Sequence, residues 1–131
     1  MNGMGLEIGL RGSASMRVTP EKTAEAWGSG DVPVFGTPSL VALLETAAVD
    51  AVAKHLGPGE TTVGTWLDVS HLAATPVGLE VRAEAEVIAI EGRKLTFTAV
   101  AHDGREKIGE CRHQRIIVTR DRFIAKAAGK Q

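Results

Sequence analysis

The feature that most constrains this chain is a single long helical pattern, running from about Pro38 to Leu56, with strand patterning after it. Thr37 is suited to cap its start, Pro38 suits the first turn, and Gly57-Pro58-Gly59 ends it. A helix over 38–56 would be about 28 Å long, at about 1.5 Å per residue. Runs at roughly 61–74, 79–90, 93–102 and 106–118 then read as strands. They are separated by Thr75-Pro76-Val77-Gly78, Glu91-Gly92 and Asp103-Gly104, each a turn signal. Leu79, Val81, Ala83, Ala85, Val87 and Ala89 alternate with Glu80, Arg82, Glu84 and Glu86, so that strand has one dry and one wet face.

Before the helix, residues 5–18 read as a first strand interrupted by Gly9, Gly12 and Ser13. Thr19-Pro20-Glu21 predicts a short helix that ends at Gly28-Ser29-Gly30. The Gly/Pro-rich stretch from Gly28 to Gly36 reads as a loop, and the tail after Arg120 is expected to fray. At 131 residues the chain fits one domain, 1–131. One long helix with an antiparallel meander predicts an α+β fold. The economical solution is a sheet that curls around the helix, the hot-dog arrangement, among the α+β options open to this pattern.

Composition narrows the function classes. Fifteen basic against 16 acidic residues leave a net charge of -1, without the electrostatic footprint of a nucleic-acid or membrane-surface binder. No window is apolar enough for a membrane span, and the N-terminal stretch Met1–Glu7 lacks the basic and apolar regions of a secretory signal. One cysteine, Cys111, excludes an intrachain disulfide and fits a reducing cytoplasm. His55, His71, His102 and His113 show no metal-ligand spacing with Cys111 or an acidic residue, so no metal site is expected. No P-loop, dinucleotide fingerprint or G-x-S-x-G elbow occurs, and Trp27 and Trp66 read as packing residues.

On a helical wheel, Leu40, Val41, Leu43, Ala47, Ala48, Ala51, Val52 and Leu56 form a broad apolar arc, opposite Thr46, Asp50 and Lys54. Asp50 and Lys54 form an i,i+4 pair suited to water. Glu45 falls inside the arc, between Val52 and Leu56. A carboxylate there must be protonated, paired or wet. It either snorkels at the edge of the arc or is a cleft carboxylate with a raised pKa, ready to act as base or nucleophile. His71 lies on the apolar face of strand 61–74 with Val63, Leu67, Val69 and Ala73, and is either a satisfied core histidine or a partner for Glu45. Thr37 is either a cap or a hydroxyl that polarises a bound carbonyl beside free helix N–H groups.

Three segments carry a resemblance: Val34-Phe35-Gly36-Thr37 running into Leu43-Leu44-Glu45, then Val63-Gly64-Thr65, then Val69-Ser70-His71-Leu72-Ala73-Ala74-Thr75-Pro76-Val77-Gly78-Leu79. With Glu91-Gly92-Arg93-Lys94-Leu95 and Ala101-His102-Asp103-Gly104, they resemble the fluoroacetyl-CoA thioesterase family of hot-dog proteins, from about residue 17 onward. The resemblance implies hydrolysis of an acyl-CoA thioester without a cofactor, coenzyme A being part of the substrate. It implies a catalytic set at Thr37, Glu45 and His71, with Phe35, Gly64 and Arg115 as substrate-binding positions. It also implies a homodimer, with each active site built across the interface and the coenzyme A moiety lying along the surface. Members carry a phenylalanine-bearing lid before the threonine; here Trp27 to Val34 is shorter and has no Phe, which points to a different small acyl group. Competing expectations are a non-catalytic acyl-CoA binding module and a hot-dog hydratase. The latter would need an Asp and a His together at the loop-to-helix turn, and no such pair occurs near 31–40.

Overall fold

A computed structural model describes residues 5–131; Met1–Met4, the first part of the N-terminal stretch considered above, lie outside the described residues. The elements run β1 (Arg11–Arg17), a 3-10 turn (Pro20–Lys22), α1 (Ala24–Trp27), α2 (Thr37–Val52), a second 3-10 turn (Ala53–His55), β2 (Glu60–His71), β3 (Glu80–Glu91), β4 (Lys94–His102), β5 (Lys107–Thr119) and α3 (Arg120–Ala128). The strands make one antiparallel sheet in the order β1-β3-β4-β5-β2. This sheet wraps α2, giving the hot-dog architecture.

The wheel reading accounts for the packing of α2. Leu40, Leu43, Leu44, Ala47, Ala48, Ala51 and Val52 are buried against Val81, Ala83, Ala85, Val87, Leu95 and Phe97. Each buried leucine contributes roughly 1.5–3 kcal/mol. The alanines let backbone approach backbone: a Cβ on Gly12 of β1 would fall on the Ala51 amide nitrogen and the Ala47 carbonyl oxygen. Val41 and Leu56 are only half-buried.

Several boundaries differ from expectation for physical reasons. The last turn of the predicted helix tightens into the 3-10 turn Ala53–His55. The expected helix after Thr19 splits into a 3-10 turn and a four-residue α1 capped by the Thr23 hydroxyl, which accepts from Ala26 N; Gly28, at φ 71°, ends it. Asp50 does not pair with Lys54; its carboxylate accepts from Ser13 N at 2.9 Å and fastens β1 to α2. In the tail, residues 120–128 form α3, all of it exposed, with Arg120 N donating to Gly59 O. Trp27 and Trp66 are not core residues, being 57% and 46% exposed.

The largest departure is in β2. A bulge between Gly64 and Trp66 inverts the alternation midway along the strand. Before it Thr62 and Gly64 face inward; after it Leu67, Val69 and His71 do. Val63 therefore does not share the face of Leu67 and Val69, contrary to the strict odd-even reading.

Candidate active site

The site residues fall into two groups on the chain. At the start of α2, Thr37 Oγ1 and His71 Nδ1 share a hydrogen bond of 2.8 Å. Gly36 is the N-cap, so Thr37 occupies the first helical position and does not cap; its hydroxyl is hydrogen-bonded to the imidazole instead. Phe35, 1% exposed, packs edge-on to His71 with ring centroids 6.5 Å apart. Phe35 N donates to Thr75 O, and the buried Thr75 hydroxyl donates to Asp103 Oδ2 at 2.8 Å, so the β4–β5 turn braces this end of the site. His71 Nε2 is buried without a partner among the described residues. Burial pushes the His71 pKa below its ordinary value, partly offset at the Ala73 backbone, which favours a neutral ring at pH 7. A cavity of about 380 Å³ opens here, walled by Ala24, Val32, Val34, Phe35, Thr37 and His71.

Glu45 belongs to the second group. Eight residues beyond Thr37 on α2, it lies about 12 Å further along the helix axis. Its side chain is 39% exposed, at the edge of the apolar arc, and Oε2 stands 3.1 Å from Arg115 Nη1. The carboxylate is thus both paired and wet, two of the three ways such a group escapes the cost of burial. Gly64 lies alongside, and a Cβ there would be 2.7 Å from Glu45 Oε2 and 3.2 Å from Arg115 Nη1. Arg115 is 6% exposed, with donors directed to Thr62, Glu45 and His113. Within the chain it supports Glu45.

Two residues of this cluster were missed by the sequence reading. His113 is buried 3.9 Å from Glu45 Oε2, and Thr62 holds Arg115 through its hydroxyl and carbonyl. The available signal was the inward parity of β5, where Cys111, His113, Arg115 and Ile117 share the buried face. Two strongly polar residues on a buried strand face require partners. Cys111 supplies no nucleophile, because burial pushes its thiol up to about 11 and keeps it protonated. Among the described residues no His/Cys/Asp/Glu group could hold a metal ion, and no helix is long and apolar enough to cross a membrane.

The model of the FlK family, fluoroacetyl-CoA-specific thioesterase, matches residues 18–121. The fluoroacetyl-CoA thioesterase of Streptantibioticus cattleyicolor is 39% identical over 132 residues, covering 96% of this chain and 95% of that protein. The solved structure of a threonine-to-serine variant of FlK in complex with acetyl-CoA superposes with a TM-score of 0.90 at 36% identity, over 96% of this chain and 99% of the other. A thioesterase superfamily member from Thermus thermophilus gives a TM-score of 0.85 at 27% identity, over 93% and 90% of the two chains. The chain therefore belongs to the fluoroacetyl-CoA-specific thioesterase family of hot-dog enzymes.

Proposed function

We propose that this enzyme hydrolyses a small acyl-CoA thioester to the free carboxylate and coenzyme A, using Glu45, Thr37 and His71. The observation that carries the reading is the Glu45 carboxylate, half-exposed beside Gly64 and held by Arg115 on a thioesterase-family scaffold. A Glu45 oxygen attacks the thioester carbonyl, the C–S bond breaks, and coenzyme A leaves as thiolate. Water then opens the mixed anhydride at the acyl carbon, releasing the carboxylate and regenerating Glu45. In the variant route Glu45 removes a proton from the attacking water. His71 relays a proton toward the departing sulfur, and Thr37 with the N–H groups at the start of α2 stabilises the developing oxyanion.

The reading requires a homodimer in the cytoplasm, with Glu45 of one copy meeting the Thr37–His71 pair of the other and coenzyme A lying along the surface. It is supported by the separation of the two groups on α2 and by the position of His71 and Gly64 on β2, an edge strand of the sheet among the described residues. The acyl group is small and not selected for fluorine: Val32, Val34 and Phe35 bound the cavity, while the segment before Val34 has no Phe.

The test is release of coenzyme A thiol from acetyl-, propionyl-, butyryl- and fluoroacetyl-CoA. Turnover of the short esters, abolished by Glu45→Ala, is expected. Binding of these esters without hydrolysis by the wild type would replace the reading with a binding module. Unchanged turnover by Glu45→Ala would remove Glu45 from the chemistry.

A further inference from the structure

Arg115 is a cation buried in a sheet face, and the carboxylate that balances it belongs to the proposed site. Its hydrogen bonds are divided. Nε donates to Thr62 Oγ1 at 2.9 Å and Nη2 to Thr62 O at 3.1 Å, fixing one side of the fork to β2. Nη1 alone serves Glu45, at 3.1 Å from Oε2, and it lies equally close to His113 Nε2. The orientation of Nη1 therefore depends on what His113 offers.

The ring geometry answers that. His113 Nδ1 stands 2.8 Å from the carbonyl oxygen of Trp66. A carbonyl only accepts, so Nδ1 carries the proton. In the neutral ring Nε2 is then a bare lone pair, which accepts from Arg115 Nη1. Trp66 follows the β2 bulge, a feature that re-aims the local backbone. His113 is 2% exposed and packs on Phe97 with centroids 6.0 Å apart, so it cannot swing away. The groups facing it are the Trp66 carbonyl from β2, Arg115 on its own strand, Glu45 from α2 and the Phe97 ring from β4. Burial first, and then the Arg115 charge, push its pKa below the ordinary value against the opposing pull of Glu45 and Trp66, in keeping with a neutral ring.

We propose that His113 is a positioning residue for the hydrolysis put forward above: its Nε2 lone pair, aimed by the Trp66 carbonyl, fixes the guanidinium that presents Glu45. Protonated, or replaced by a side chain without that acceptor, it leaves one donor of a buried cation unpaired, and the carboxylate follows the guanidinium out of register.

Three variants separate positioning from packing. His113→Phe keeps a planar ring with neither nitrogen, His113→Asn keeps a donor near the δ position, and His113→Gln can bring an acceptor oxygen to the ε position. Phe and Asn should lower kcat about tenfold to a hundredfold, the effect of one hydrogen bond to a charged group, with KM for the thioester nearly unchanged. Gln should recover most of the loss. Folded Phe and Asn variants that keep kcat within about twofold of wild type would overturn the proposal, as would a Gln variant no better than Phe. An independent readout is the imidazole nitrogen spectrum of the wild type near neutral pH. Nδ1 should be protonated and Nε2 bare; the opposite assignment overturns the proposal whether or not the variants fold. A wild type that hydrolyses none of the thioesters, yet shows the expected tautomer, defeats the hydrolysis reading and leaves the hydrogen-bond assignment standing.

Discussion

A methyl group at position 64 tests how tightly Glu45 is held. The Cβ would meet Glu45 Oε2 at 2.7 Å, Arg115 Nη1 at 3.2 Å and His113 Cε1 at 3.3 Å. Glu45 is the terminal, half-exposed group of the three, so it is the one that moves. Gly64→Ala should therefore lower kcat, by up to about a hundredfold for a displacement near 1 Å. Because Gly64 is exposed and lacks a positive φ, stability should change by only about 1 kcal/mol or less. Urea denaturation alongside steady-state kinetics checks both; a large stability loss with intact kcat would refute the argument. Buried His113 and half-buried His71 give a second expectation. His71 and His113 have pKa values lowered by burial from the ordinary 6.5, so the unfolded chain takes up protons that the folded chain refuses. Their contribution to stability is full above about pH 6.5 and shrinks as pH falls toward the folded values, so the urea midpoint should drop between about pH 7 and about pH 5. A midpoint that rose over that window would contradict the neutral assignment. Glu45 was legible in the sequence because a charged residue breaks a helical period. His113 was not, because its anomaly is visible only once strand parity is known.

Elements were legible where their pattern was local. The α2 arc, the strand order of burial on β3 and the glycine turns all follow from neighbours in sequence. What was hidden depended on contacts across the fold. The Thr37 hydroxyl turns from capping to His71, Asp50 turns from Lys54 to β1, and the β2 bulge redirects Val63 and Gly64. Nothing in residues 60–71 announces that bulge except Gly64 itself. At this scale the approach of β1 to α2 yields a sharp test. Gly12 stands over backbone atoms of Ala47 and Ala51, including Ala51 Cα at 2.6 Å from its would-be Cβ, and backbone cannot give as a side-chain tip can. Gly12→Ala should destabilise the fold by about 1–3 kcal/mol or more. Gly109→Ala meets the flexible tip of Leu40 and should cost less. Equal urea midpoints for the two variants would show that β1 has room to lift off the helix.

For the whole molecule the open question is what covers β2. The sheet has two edges, and they differ. β1 is seven residues long and carries Arg11 and Arg17 at its ends, features that blunt an edge. β2 runs for twelve residues, with half-buried Val63, Leu67 and Val69 and an exposed Trp66. An edge strand of that length, its outer side unpaired among the described residues, is a template for pairing. The same edge carries Gly64 and His71, one from each of the two site groups that lie apart on the single chain. Pairing of β2 with β2 of a second copy would cover the edge and could bring Glu45 of one chain toward the Thr37–His71 pair of the other. The wild type should therefore elute at twice the chain mass by size exclusion with light scattering. Trp66→Glu, at an exposed position that disturbs no core packing, should shift it toward monomer. Turnover should fall with the dimer fraction and recover at higher protein concentration. A monomeric wild type with full activity would mean that each chain closes its own site, and that Glu45 and the Thr37–His71 pair act on different parts of the substrate.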